Sequence, residues 1–308
     1  MFGLTNSEGN HGEDVKEIYY YLDATPTHSY LKMLYKYPQR EFPYAWLVEE
    51  NRRRGKDQPE FELLDTAIFD DDRYFDVFVE YAKASPDDIL MLVTVHNRGP
   101  EEATIHLLPQ LWFRNTWSWK NGAAKPELTA KADGSISAKH SDLGEFAFHV
   151  ESLLISTGLQ PGVGSSGGAK NRLSGFPRTP NADTRLKPGA NESRTEPQLL
   201  FTDNETNVRR HYGQNDAPGC FKDAFHDFVI AANKAAVNAQ QTGTKAAAFY
   251  KLTIPSGGSQ HVRLRLARVG QASSLSGQER NSESAGNGKH GRQAGSLSHL
   301  NDFDSILT

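Results

Sequence analysis

Apolar and polar residues alternate with a period of two along most of this chain. In residues 74–81, Phe75, Val77, Val79 and Tyr81 share one face, while Asp76, Phe78 and Glu80 share the other. That is the pattern of a half-buried strand. Val262, Leu264 and Leu266 alternate with Arg263, Arg265 and Ala267 in the same way. Stretches at 17–23, 28–37, 60–68, 88–96, 103–113, 145–155, 198–203, 226–232 and 246–254 are also β-prone and are expected to be strands. Asn97-Arg98-Gly99-Pro100 lies between 88–96 and 103–113, and Pro255-Ser256-Gly257-Gly258 joins the last two strands. Both read as hairpin turns, which predicts antiparallel pairing of sequential strands. Helical periodicity is sustained best over 231–245, where the Asn, Gln and Gly content reads equally as loop. The expected fold class is all-β, with one large antiparallel domain.

Two stretches break the alternation. Residues 158–197 and 273–298 are rich in Gly, Ser, Pro and charge, a composition that buries too little apolar surface to offset the entropy of ordering it. The expected organisation is a β-domain over 1–272 with a flexible insertion at 158–197, followed by a low-complexity linker over 273–308. The hydrophobic content of 37% in 308 residues is low for a compact globule and agrees with polar filler of this kind.

Charge and cysteine content narrow the partners. A net charge of -4 supplies no basic field for a phosphate backbone, so nucleic acid is excluded as an expected partner. The single Cys220 rules out an internal disulfide and suits a reducing, cytoplasmic compartment. No apolar run reaches the roughly 18–20 residues of a membrane span, and the N-terminus lacks the basic and apolar regions of a signal peptide, so no membrane is expected.

Three segments carry a resemblance. They are GLTNSEGNHGEDVKEIYYYLDATPTHSYLKMLYKYPQREFPYAWLVEENRRR, LLDTAIFDDDRYFDVFVEYAKASPDDILMLVTVHNRGPEEATIHLLPQLWFRNTWSW and NAQQTGTKAAAFYKLTIPSGG. The chain resembles, over about two thirds of its length, the N-terminal region of glycoside hydrolase family 63-like proteins, relatives of mannosylglycerate hydrolases and processing α-glucosidases. The resemblance implies a β-supersandwich packed against an (α/α)6 barrel that carries the catalytic acid and base. Inverting hydrolysis needs two carboxyl groups roughly 6.5–9.5 Å apart across the sugar. No barrel helices are present in this sequence, so no catalytic residue is carried over. The resemblance also implies that the chain starts inside the family's pattern and stops before its barrel. The expected partners are therefore carbohydrate and a helical domain, and the expected role is that of a noncatalytic domain of a glycosidase. A stand-alone carbohydrate-binding module and a mutarotase-like sugar epimerase using His with a carboxylate are the alternatives.

Two groups of residues have the chemistry to meet sugar. His11, Glu13 and Asp14 lie in a polar, Gly-containing turn before the Tyr-rich strand, where they would face a cleft or simply satisfy backbone groups of the turn. Trp112, Arg114, Asn115 and Trp117, with Trp119 beyond them, combine flat rings for sugar C–H faces with polar groups for hydroxyls. With Trp117 and Trp119 at strand spacing on one face, the same cluster also reads as core or as a seam against another domain.

Other candidates fall away. Glu49-Glu50 and Asp70-Asp71-Asp72 lack the unequal surroundings an acid–base pair needs, and the Asp run reads as a solvated turn. Arg52, Arg53 and Arg54 read as a solvated basic patch. The histidines show no metal-ligand spacing, and His96 and His106 read as a packing pair across the first turn. Without a GxSxG elbow or a phosphate-cradling loop, neither metal nor cofactor is expected.

Overall fold

The computed structural model describes residues 18–119, 122–156 and 192–270. Its strands are β1 (Tyr19–Ala24), β2 (Tyr30–Pro38), β3 (Tyr74–Ser85), β4 (Asp88–Asn97), β5 (Ala103–Leu107), β6 (Gln110–Trp112), β7 (Glu127–Ala130), β8 (Ile136–His140), β9 (Gly144–Val150), β10 (Leu153–Ser156), β11 (Glu192–Thr195), β12 (Gln198–Thr202), β13 (Thr242–Gly243), β14 (Lys245–Ile254) and β15 (Ser259–Arg268). Short helices α1 (Tyr44–Arg53), α2 (Val208–Tyr212) and α3 (Ala224–Ile230) join them among the described residues. The described residues outside Ser152–Glu196 form one compact unit, and the described residues within that span belong to another.

The larger unit is an all-β sandwich. A nine-stranded sheet runs β1-β2-β3-β4-β15-β9-β8-β7-β13, and a second sheet runs β12-β14-β5 with β6 also on β14. Neighbouring strands pair antiparallel. Register fixes which residues share a face: Val77 sits opposite Val95, Val93 opposite Val262, Phe148 opposite Leu266 and Ile136, and Leu128 opposite Ala138. Together they make an apolar inner face. On β14 the alternate residues Ala246, Ala248, Tyr250, Leu252 and Ile254 are each at most 2% exposed and form the facing layer. The Tyr250 hydroxyl donates to the Glu151 carbonyl just beyond β9, at 2.8 Å, which ties the two layers together. Burying each large apolar side chain here stabilises the fold by about 1.5–3 kcal/mol.

Each layer has a helical cover. On the other side of β14, Ala247 packs with Leu200 of β12 and with Phe225 and Phe228 of α3. At the β1–β3 end, Leu47 of α1 joins Ile18, Phe61, Leu63 and Ile68 in a second cluster, against which Tyr35 of β2 packs. The outer face of the nine-stranded sheet mixes apolar residues such as Leu90 with paired charges. There Lys36 and Arg98 both donate to Asp76, at 2.8 and 2.7 Å, and Arg265 donates twice to Asp88, at 2.8 and 2.6 Å.

Several expectations are corrected. Residues 60–68 form no strand: the Asn51 side chain takes both backbone groups of Phe61, at 2.7 and 2.9 Å, and a 3-10 turn at Leu63–Thr66 follows. Residues 226–232 fall largely in α3, because Phe225 and Phe228 recur at helical spacing and both pack in the cluster under β14. Of the two readings of 231–245 the loop holds, with a 3-10 turn at Lys234–Ala236, the short β13 and the first residue of β14. The stretch 103–113 breaks into β5 and β6 at Leu108-Pro109, since proline has no N–H for the ladder. Within the expected insertion at 158–197, β11 pairs with β10, so its last residues form a strand, and the Ser152 hydroxyl donates to Glu196 at 2.6 Å in the same unit. Most of 158–197 and all of 273–308 lie outside the described residues.

The two expected hairpin turns are both corners between sheets. β4 pairs with β3 and β15 whereas β5 pairs with β14, so the turn after Asn97 carries the chain from one sheet to the other. The turn at Pro255–Gly258 does the same between β14 and β15. They meet at Asn97, which is fully buried. Its side chain donates to the carbonyls of Glu101 (2.7 Å) and Ile254 (2.9 Å) and accepts from Gly99 N (2.9 Å) and Gln39 Nε2 (2.7 Å). Its backbone pairs with Gly257 and Gly258. His96 and His106 consequently stand in different sheets, His96 edge-on to Phe78 and His106 tilted against Phe249.

Candidate functional site

The tryptophan segment leaves the second sheet at β6. Trp112 is opposite Lys245 on the face of β14 that Ala247 shares, and it is 54% exposed. Beyond it the chain is held from two sides: Phe113 N donates to O of Thr244, just before β14, at 3.0 Å, and Asn204 Nδ2, in the loop after β12, donates to Phe113 O at 2.9 Å. Trp117 and Trp119 then fall in a 3-10 turn rather than a strand, so strand spacing does not govern where they point. This corrects the expected common face.

The two rings separate. Trp117 Nε1 donates to Glu205 at 3.1 Å, and Lys125 Nζ lies 5.9 Å from its ring centroid. Trp119 is 64% exposed, with the Arg114 guanidinium 5.0 Å from its centroid. Asn115 supports the turn, accepting from Ser118 N at 3.2 Å and donating to Asn204 O at 3.2 Å. Lys125 completes the cluster through ion pairs to Asp203 (2.9 Å) and Glu205 (3.2 Å). Burial weighs against its charge, but the hydrogen bonds that the ammonium donates to the two carboxylates outweigh it and raise the Lys125 pKa.

Of the residues expected to meet sugar, the structure therefore gathers Arg114, Asn115 and Trp117 around one turn and leaves Trp112 on the neighbouring strand end. His11, Glu13 and Asp14 lie outside the described residues. Lys125, Asp203 and Glu205 were not singled out by sequence. They come from segments 78 and 88 positions apart from their partners, and no local signal marks such a meeting.

The remaining charged runs are accounted for locally. Asp70–Asp72 form an exposed 3-10 turn in which Asp71 pairs with Arg40 at 2.9 Å. Arg53 and Arg54 fold back on Glu50 within α1 and its C-cap. On the outer face of the large sheet, Asp76 is opposite His96 in register, yet its carboxylate is taken by Lys36 and Arg98. Burial opposes the Asp76 charge, but those two cations outweigh it and hold the carboxyl below its usual range. Burial first, and then Arg98, hold the His96 imidazole below its ordinary value. Among the described residues, no group of three or more His, Cys, Asp and Glu side chains is arranged to hold a metal ion.

The fold and this cluster define an all-β sandwich presenting exposed tryptophan beside a charged turn. Compared with known proteins, the chain is 37% identical over 281 residues to the uncharacterized protein YMR196W of Saccharomyces cerevisiae, an alignment covering 86% of this chain and 24% of that protein. The chain thus spans about a quarter of the length of that relative. No family model matches the chain.

Proposed function

We propose that this chain is a noncatalytic β-domain of a glycoside hydrolase, bracing an (α/α)6 barrel and lending an aromatic wall to the sugar cleft. The observation that carries the reading is the exposure of Trp112 and Trp119, at 54% and 64%, beside Arg114, Asn115 and the Lys125–Glu205 pair. Unneeded by either hydrophobic cluster, these rings offer flat apolar area next to hydrogen-bonding groups, the combination that recognises a pyranose. The resemblance of three long segments to family 63-like proteins supports the same reading, as does a relative about four times as long. A stand-alone carbohydrate-binding module is favoured by the same exposed tryptophans and differs in needing no helical partner.

The test is an immunoblot for the native polypeptide, followed by assay with aryl α-glucosides and α-mannosides. The expected result is a polypeptide well above the length of this chain, active as a hydrolase, with kcat/KM lowered about tenfold by Trp119→Ala, a loss of about 1.4 kcal/mol. The isolated 308-residue chain is expected to cleave none of them. Cleavage by the isolated chain overturns the accessory role. A native polypeptide of 308 residues that binds sugar selects the stand-alone module.

A further inference from the structure

A second concave site lies away from the tryptophans, beside the corner that Asn97 ties. It is a cavity of about 530 Å³ with Phe75, 1% exposed, among its lining residues and Tyr37, 46% exposed, on its wall. Gln39, Arg40, Arg73, Glu101 and Glu102 supply its polar groups. A volume of this size is in the range of small-molecule sites.

Its polar groups are set up in different ways. Gln39 is held in place: its amide donates to Asn97 Oδ1 at 2.7 Å, and its backbone N–H donates to Arg73 O at 2.9 Å. Arg40 is neutralised by Asp71 at 2.9 Å, and Arg73 by Glu101 through two long contacts of 3.3 and 3.4 Å. Glu102 forms no ion pair with a described residue and is exposed. The lining thus carries two guanidinium groups and two carboxylates and is neutral overall. A neutral lining draws in no phosphate or sugar acid by net charge and suits a ligand that donates hydroxyls to carboxylate and amide oxygen while accepting from guanidinium. The exposed Tyr37 ring supplies the flat apolar surface such a ligand also needs.

We propose that this cavity is a binding site for a neutral saccharide unit, with Tyr37 as the stacking platform and Glu102, Gln39 and Arg73 as its hydrogen-bonding groups. The ligand class rests on the carbohydrate reading above; the location is independent of it. Because Asn97 holds both the Gln39 side chain and the backbone of Glu101 in the lining, the site is formed before any ligand arrives, which keeps the ordering cost of binding low.

Calorimetric titration of the 308-residue chain with glucose, mannose, maltose and maltotriose tests it, alongside glucose 6-phosphate and gluconate. Wild type, Tyr37→Ala, Glu102→Gln and Trp119→Ala are compared after thermal melting has shown each to be folded. Millimolar binding of a neutral sugar, weakened about tenfold by Tyr37→Ala and by Glu102→Gln, supports the site, being a loss of about 1.4 kcal/mol in each variant. Binding abolished by Trp119→Ala and untouched by both cavity variants overturns the site and leaves the tryptophan reading standing. Preference for the anionic sugars overturns the ligand class. No binding of any sugar by wild type overturns the site outright, while the accessory role is then decided by the hydrolase assay alone.

Discussion

At the residue scale, the outer face of the large sheet shows how burial and charge combine. Asp76 is 5% exposed and survives as a carboxylate because Lys36 and Arg98 both donate to it. Its folded pKa is lowered, so its stabilisation is fully present above the ordinary carboxylate value near about 3.9 and is lost as pH falls through the lower folded value. His96 works in the same direction from a higher starting point. Its lowered pKa means that stability is present above about 6.5 and declines as acid forces a proton onto the ring in the unfolded chain first. Denaturant melts from pH 7 to 3 are therefore expected to show two declines. Asp76→Asn is expected to cost about 2 kcal/mol at pH 7, discounted for the solvent access of Arg98, and to shrink the lower decline, to which Asp133 also contributes, while leaving the upper one. An unchanged acid limb in that variant would show that Asp76 is not its source.

At the element scale, the strands with clean alternation needed no help from context, whereas the short elements did. β3, β4, β14 and β15 form where a period-two pattern predicts them, since a strand with one apolar face has few other ways to bury it. The stretch 226–232 is too short for period alone to separate strand from helix, and the cluster under β14 decides in favour of α3. β13 depends on a close approach: a Cβ at Gly243 would collide with the backbone of Thr202 in β12. Gly243→Ala is thus expected to detach β13 from β7, with Thr202 itself 1% exposed and unable to yield easily. The cost is expected at about 1–3 kcal/mol by chemical denaturation, with faster hydrogen exchange confined to β13, β7 and the end of β12.

At the scale of the whole molecule, the sandwich is closed by two corners and a single buried amide. Asn97→Ala would strand the carbonyls of Glu101 and Ile254 and the N–H of Gly99 in one step. The expected loss is about 3 kcal/mol, or roughly 6–12 °C in melting temperature for a domain of this size. Because Asn97 joins both sheets, near-ultraviolet and far-ultraviolet circular dichroism should shift together. Separate transitions would mean that the sheets do not unfold as one unit.

What the sequence determined by itself was the all-β class, most long strands and the inner faces of β3 and β15, because these follow from alternation within one segment. It also marked the Trp112–Trp119 segment as chemically suited to sugar, since that depends on residue type and not on neighbours. What only the tertiary structure decided was connection and company. Asn97-Arg98-Gly99-Pro100 has the composition of a hairpin turn whether the next strand returns to the same sheet or enters another, and the choice is made by where β14 buries its alanine-rich face. The partners of Trp117 and the lining of the Tyr37 cavity likewise come from segments far apart in the chain. Their proximity is a consequence of packing two sheets face to face, a long-range free-energy balance that no local pattern encodes.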